Sequence, residues 1–113
     1  MTADERQFLL TAAWMFMRHG RGDRALAVCE ALHEADPRDG VAAAALAELL
    51  LSGGEAPRAA EMLRLADFPP ELAHAAAVLE TRALRLSGRA SEAQARWSRY
   101  LESRKGAARQ WVG

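Results

Sequence analysis

Apolar residues recur three and four positions apart along most of the chain, and the pattern is interrupted at regular points by glycine or proline. Leu9, Ala12, Ala13 and Phe16 set this spacing ahead of Gly20, and Ala25, Val28, Cys29 and Leu32 set it again behind. Such spacing places one stripe of side chains on the face of a helix. The runs "VAAAALAELLL" and "AHAAAVLETRALRL" extend it with alanine, the strongest helix former. The pattern predicts six helices, at about 4–18, 22–35, 39–52, 56–66, 70–86 and 90–105. Pro57 fits the first turn of its helix, and Pro69-Pro70 break the chain before the fifth. Asp39 and Ser91 are expected as N-terminal caps or first-turn residues.

The interruptions are periodic. Gly20, Gly54 and Gly88 lie 34 residues apart, and Ala25, Ala59 and Ala93 keep the same interval. Phe16, Leu50 and Leu84 stand four residues before each glycine; Cys29, Leu63 and Trp97 stand four after each alanine. Ala13, Ala47 and Thr81 add a small-residue column seven before each glycine. Glycine suits the left-handed turn that ends a helix, and small residues suit the closest approach of paired helices. A 34-residue period carrying these columns, with Pro37 closing the first unit, resembles the tetratricopeptide repeat. The resemblance implies an all-α fold: three helix-turn-helix repeats, at about 6–37, 39–71 and 72–105, stacked as a short right-handed superhelix. All 113 residues then form one domain, with 106–113 left as a tail.

Composition narrows what such an array can do. Fifteen basic and fifteen acidic residues balance, and the basic ones are scattered, which argues against a nucleic-acid partner. Cys29 is the only cysteine, so no intrachain disulfide forms and a reducing compartment is expected. The N-terminus leans acidic, and "FLLTAAWMFM" covers about half a bilayer, so neither a secretory signal nor a membrane span is read.

Stacked hairpins curve, and the first helix of each lines the concave surface. With Leu9, Ala12, Ala13 and Phe16 assigned to the repeat core, Leu10, Trp14 and Met17 are left for the groove. Leu51, Val78 and Leu86 continue an apolar lining, with Glu48, Arg82 and Arg85 as charged intervals. An apolar lining of this kind suits an amphipathic helix or an extended apolar segment. At the other end, "KGAARQWVG" is too short for a capping helix, and Trp111 is expected to fold back on Trp97 and Leu101.

No catalytic or cofactor chemistry assembles. Gly20-x-Gly22-x-x-Ala25 matches a dinucleotide fingerprint in outline, but the residues ahead of it are helical in pattern and the later repeats lack the second glycine. Arg21-Gly22-Asp23 reads as a solvated turn. His19, His33 and His74 have no metal-ligand spacing, so neither a metal nor a cofactor is expected. Cys29 occupies a large-apolar column and reads as a buried, inert thiol. A clamp for a C-terminal carboxylate built from asparagine and lysine is excluded, because the chain has no asparagine and its sole lysine is Lys105.

The stretch "RQFLLTAAWMFMRHGRGDRALAVCEALHEADP" and the closing "YLESRK" are similar to the SctY (YscY) family of type III secretion chaperones. The shared features are the phenylalanine-leucine-leucine start, the tryptophan in the first helix, the glycine turn and the closing proline. The resemblance implies a bacterial cytoplasmic chaperone that forms a heterodimer with the exported component SctX and engages the export gate SctV. The needle-subunit cochaperone of the same system and a generic interaction module are the alternatives. Helix geometry puts the partner contacts on Leu10, Trp14, Met17, Leu51, Val78, Arg82 and Leu86.

Overall fold

The computed structural model describes the backbone of residues 1–112 and the side chains of residues 1–107. Its helices are α1 (Ala3–Arg18), α2 (Gly22–Ala35), α3 (Gly40–Ser52), α4 (Ala56–Leu65), α5 (Ala73–Leu86) and α6 (Ala90–Val112). A 3₁₀ turn, Pro70–Leu72, leads into α5. The helix expected from residue 70 therefore opens with this tighter turn, in which the Leu72 N–H donates to the Pro69 carbonyl at 2.9 Å. The second departure is α6, which continues through the residues read as a tail. Alanine, arginine and glutamine there favour continued helix. Trp111, expected against Trp97 and Leu101, lies outside the residues whose side chains are described.

The 34-residue period is a repeat of one hydrogen-bonded turn. Gly20, Gly54 and Gly88 are the residues with positive φ, at 70°, 79° and 77°. After each, the next N–H reaches back to the carbonyl of Phe16, Leu50 or Leu84, at 2.8, 2.8 and 2.9 Å. The glycine N–H itself bonds to Met17, Leu51 or Arg85. This is the Schellman pattern, which satisfies orphan carbonyls at a helix end. The residue after each glycine also starts the following helix: the carbonyls of Arg21, Glu55 and Arg89 accept from Ala25, Ala59 and Ala93. The columns found in the sequence are thus the parts of one junction.

Each junction folds its helices into a hairpin, α1/α2, α3/α4 and α5/α6, and the hairpins stack through α2 on α3, α4 on α5 and α3 on α5. Leu32, Leu46, Leu50, Leu63 and Cys29 are the largest side chains fully enclosed. The small columns are buried as well, from Ala13 and Ala25 through Thr81 and Ala93. Of the residues expected to pack α1, Ala13 is buried, whereas Leu9, Ala12 and Phe16 are half-buried. The first helix of a stack has a neighbouring hairpin on one side only.

The hairpins are joined where the loop before α3 meets the loop after α4. The Asp67 N–H donates to the Arg38 carbonyl at 2.8 Å, and the Arg38 guanidinium grips the Asp67 carboxylate at 2.8 and 3.0 Å. Gly40 makes the approach possible, since a Cβ there falls 2.4 Å from the Asp67 carbonyl oxygen and 2.9 Å from the Phe68 Cα. Gly40→Ala is expected to destabilise the fold by roughly 1–3 kcal/mol in urea unfolding, despite alanine's better helix propensity. Gly106→Ala, in open helical surroundings, is the contrast and is expected to stabilise by about 0.5–1 kcal/mol.

Asp39 caps α3, accepting from the Val41 and Ala42 N–H groups at 3.1 and 3.3 Å. The same carboxylate binds the Arg6 guanidinium of α1 at 2.5 and 3.0 Å, so one residue ends a loop and ties two hairpins together. The hydrogen bond and charge of Arg6, with the Ala42 and Val41 N–H groups, outweigh burial and hold the Asp39 carboxyl below the usual carboxylate range. A depressed folded-state value stabilises the protein above the unfolded value and is lost as pH falls through the folded one. Asp39→Asn keeps a capping side chain but removes the charge pairing. Its expected cost is about 1 kcal/mol at pH 7, shrinking as pH falls below the ordinary carboxylate range and through the depressed folded-state value, by urea titration at neutral and acid pH.

Candidate interaction surface

Trp14 is the most prominent feature of the concave side, half exposed at 51% and covered on one face by the Arg18 guanidinium 4.8 Å from the ring centre. Leu10 and Trp14 border an open cleft of about 390 Å³, completed by Arg6, Gln7 and Thr11 of α1 and Val41 of α3. Leu10, Trp14 and Val41 give it an apolar side, and Arg6, Gln7 and Thr11 a polar one, a mixture that suits an amphipathic segment from another chain.

Further along, the lining changes character. Trp14, Glu48 and Arg82 occupy the same repeat position, and Arg82 lies 3.7 Å from Glu48 as an exposed pair. The middle of the groove is therefore polar. Val78 and Leu86 are exposed on α5, as the sequence suggests, but Met17 is half-buried. Leu51 corrects the sequence reading outright: it is 7% exposed and belongs to the core. Met17, Leu51 and Arg85 share one column, in which Leu51 joins the core of α3, α4 and α5 while Met17 is half-buried and Arg85 exposed.

At the far end, Val78, Thr81, Arg82, Arg85 and Trp97 enclose a second open cavity of about 300 Å³. Trp97 belongs to an aromatic cluster with His74 and Tyr100, at ring separations of 5.3–6.2 Å, and His74 Nδ1 lies 3.1 Å from the Tyr100 hydroxyl. Residue by residue, His74 lies in this cluster, while His19 and His33 lie on other helices or turns. Among the described residues no group of three or more potential metal ligands comes together. Cys29 is enclosed, and burial followed by the nearby Glu30 charge pushes its thiol pKa up, the opposite of what a nucleophile needs.

Sequence reasoning missed Phe8 and Met15. Both project from α1, Phe8 at 72% exposed, on the side away from α3. The signal was present in the columns. Phe8 aligns with Ala42 and Ala76, and Met15 with Leu49 and Ala83; in the later repeats these positions are small or packed against the core. A large residue in a column that is otherwise mostly alanine marks a place where the first repeat departs from its neighbours.

Hairpins of 34 residues, stacked so that side chains of successive first helices share one concave face, define a helical-repeat scaffold for binding other proteins. Residues 16–80, more than half of the chain, match the family described as tetratricopeptide repeat, and the chain belongs to that family. Among curated proteins no match to the chain is found. The fold is one of protein interaction, so protein partners are its natural ligands. No described helix is long and apolar enough to cross a membrane.

Proposed function

We propose that the chain is a bacterial cytoplasmic chaperone of the SctY kind, holding a small exported secretion component of the SctX kind as a heterodimer and presenting it to the export gate SctV. The observation that carries this reading is Trp14, a large side chain left half exposed beside the open Leu10 cleft in the first helix. A half-exposed tryptophan beside an open cleft of mixed lining is the composition of an interface anchor. The wording of the first helix, "RQFLLTAAWMFMRHG", supports the same family. Leu10, Trp14 and Met17 serve as the apolar contacts, Val78 and Leu86 extend them, and Arg82 sets polarity at the far side. Leu51 contributes from beneath, by holding α3 against α5.

The test is co-expression with the SctX homologue of the source cell. The two chains are expected to elute together as a one-to-one complex, and the complex is expected to bind less of a hydrophobic dye than the chain alone. Recovery of a needle subunit in place of the SctX homologue selects the cochaperone alternative. A chain that stays free of both, and binds no dye, overturns the reading.

A further inference from the structure

The two ends of the array are unlike each other and complementary. On α1, Phe8, Ala12 and Met15 follow helical spacing down a side whose equivalents in the later repeats, such as Ala42, Leu46, Ala76 and Ala83, are buried. In α3 and α5 the equivalent positions of Phe8 are Ala42 and Ala76, both buried against the hairpin before them. Ala76 borders a cavity together with Leu63, Ala66 and Phe68. One period later, Leu63 and Ala66 become Trp97 and Tyr100. Carrying the repeat forward one step therefore puts a Phe8 beside Trp97 and Tyr100, where aromatic edges and faces can meet.

The same step carries other internal contacts across. Glu48 and Arg82 form an ion pair between successive first helices, and its continuation sets Arg82 against Trp14 of a following hairpin. Arginine over tryptophan is a favourable cation–π pair. Arg6 and Asp39 form the tie between the first two hairpins, and its continuation sets His74 against Glu5. In this register the acidic first turn of α1, with Glu5, faces His74, and Arg82 approaches the face of Trp14 that Arg18 leaves open. Space agrees too, since the open cavity of about 300 Å³ beside Trp97 gives a bulky aromatic the room that alanine does not need.

We propose that copies of this chain without a groove partner stack end to end, the Phe8 and Met15 side of α1 in one copy seating against Val78, Arg85 and Trp97 of the next, so that the repeat register runs on across the contact and a groove partner on Trp14, Val78 and Arg82 competes with it. The occupant of each end is a second copy of the chain. Such a contact joins two different surfaces and does not close on itself, so growth continues with concentration.

Mass measured by sedimentation or light scattering over a wide concentration range tests this. The wild-type chain is expected to pass beyond two copies. Phe8→Glu blocks one end and the double variant R82E/R85E the other; each alone is expected to lose all mass above the monomer while keeping its helical circular dichroism. Mixed together, they retain one intact end apiece and are expected to form a one-to-one pair and nothing larger. Phe8→Gln replaces Phe8→Glu if the charged variant loses helicity. A wild-type chain that remains monomeric overturns the proposal. So does a dimer that either blocked variant still forms by itself, which indicates a symmetric contact, and so does a mixture that fails to pair.

Discussion

Leu46→Ala is expected to remove about 3 kcal/mol of stability, seen as a large drop in the urea midpoint with an unchanged slope. Leu46 is fully enclosed, at 0% exposed, in α3, which packs against α2, α4 and α5. Truncation removes the transfer free energy of the side chain and leaves a cavity that the surrounding alanines are too short to refill. The position matters as much as the burial. In a stacked array each repeat is held by its neighbours, so weakening the middle hairpin loosens both couplings at once. For a chain of this size total stability is of order 5–15 kcal/mol, and one such change removes a sizeable part of it. Leu86→Ala, on an exposed position of α5, is the control and is expected to stay within about 0.5 kcal/mol. A Leu46→Ala variant that unfolds within about 1 kcal/mol of wild type would show that the hairpins hold together without the central contact.

Trp14→Glu is expected to weaken partner binding by at least about 2 kcal/mol, roughly a thirtyfold rise in Kd, with helicity and thermal midpoint unchanged. Titration calorimetry against the co-purified partner measures the first, circular dichroism the second. Structure separates this residue from its neighbour in the notional groove. Trp14 is half exposed and its removal opens no cavity, whereas Met17 is half-buried, so Met17→Glu is expected to lose stability as well as affinity. If Trp14→Glu lowers the thermal midpoint as much as Met17→Glu does, Trp14 is a packing residue and the groove reading fails.

Much of the architecture was legible because one junction is written three times. Phe16, Gly20 and Ala25, with their partners at 50, 54, 59 and 84, 88, 93, spell the accepting carbonyl, the left-handed glycine and the donating amide that opens the next helix at the same junction. Local rules of this kind act within a few residues and leave their mark directly in sequence. Which neighbour covers a helix face does not. Helical spacing puts Leu51 on the same stripe as Leu10 and Met17, yet α5 buries Leu51 and nothing comparable covers Phe8. The terminal repeats lack a neighbour that the middle one has, and only the stacked structure reveals which side is bare. The 3₁₀ entry to α5 escaped for a different reason: prolines mark an interruption without saying how the chain resumes.

The turns that build the hairpins also dictate where the array can bend. Arg21, Glu55 and Arg89 each finish one helix and begin another, which leaves no slack residue between the two rods of a hairpin. Each hairpin is therefore a stiff element, and compliance is confined to the joints between hairpins. At the first of these joints the Arg38–Asp67 clamp and the close seat of Gly40 brace the loops. The second runs through Ala66 to Pro69, and its Asp67 and Phe68 are the residues against which Arg38 and Gly40 close. Mechanically the molecule is a short leaf spring with two flexures, and a partner that enters the concave side sets the curvature at those two points while the hairpins themselves stay rigid.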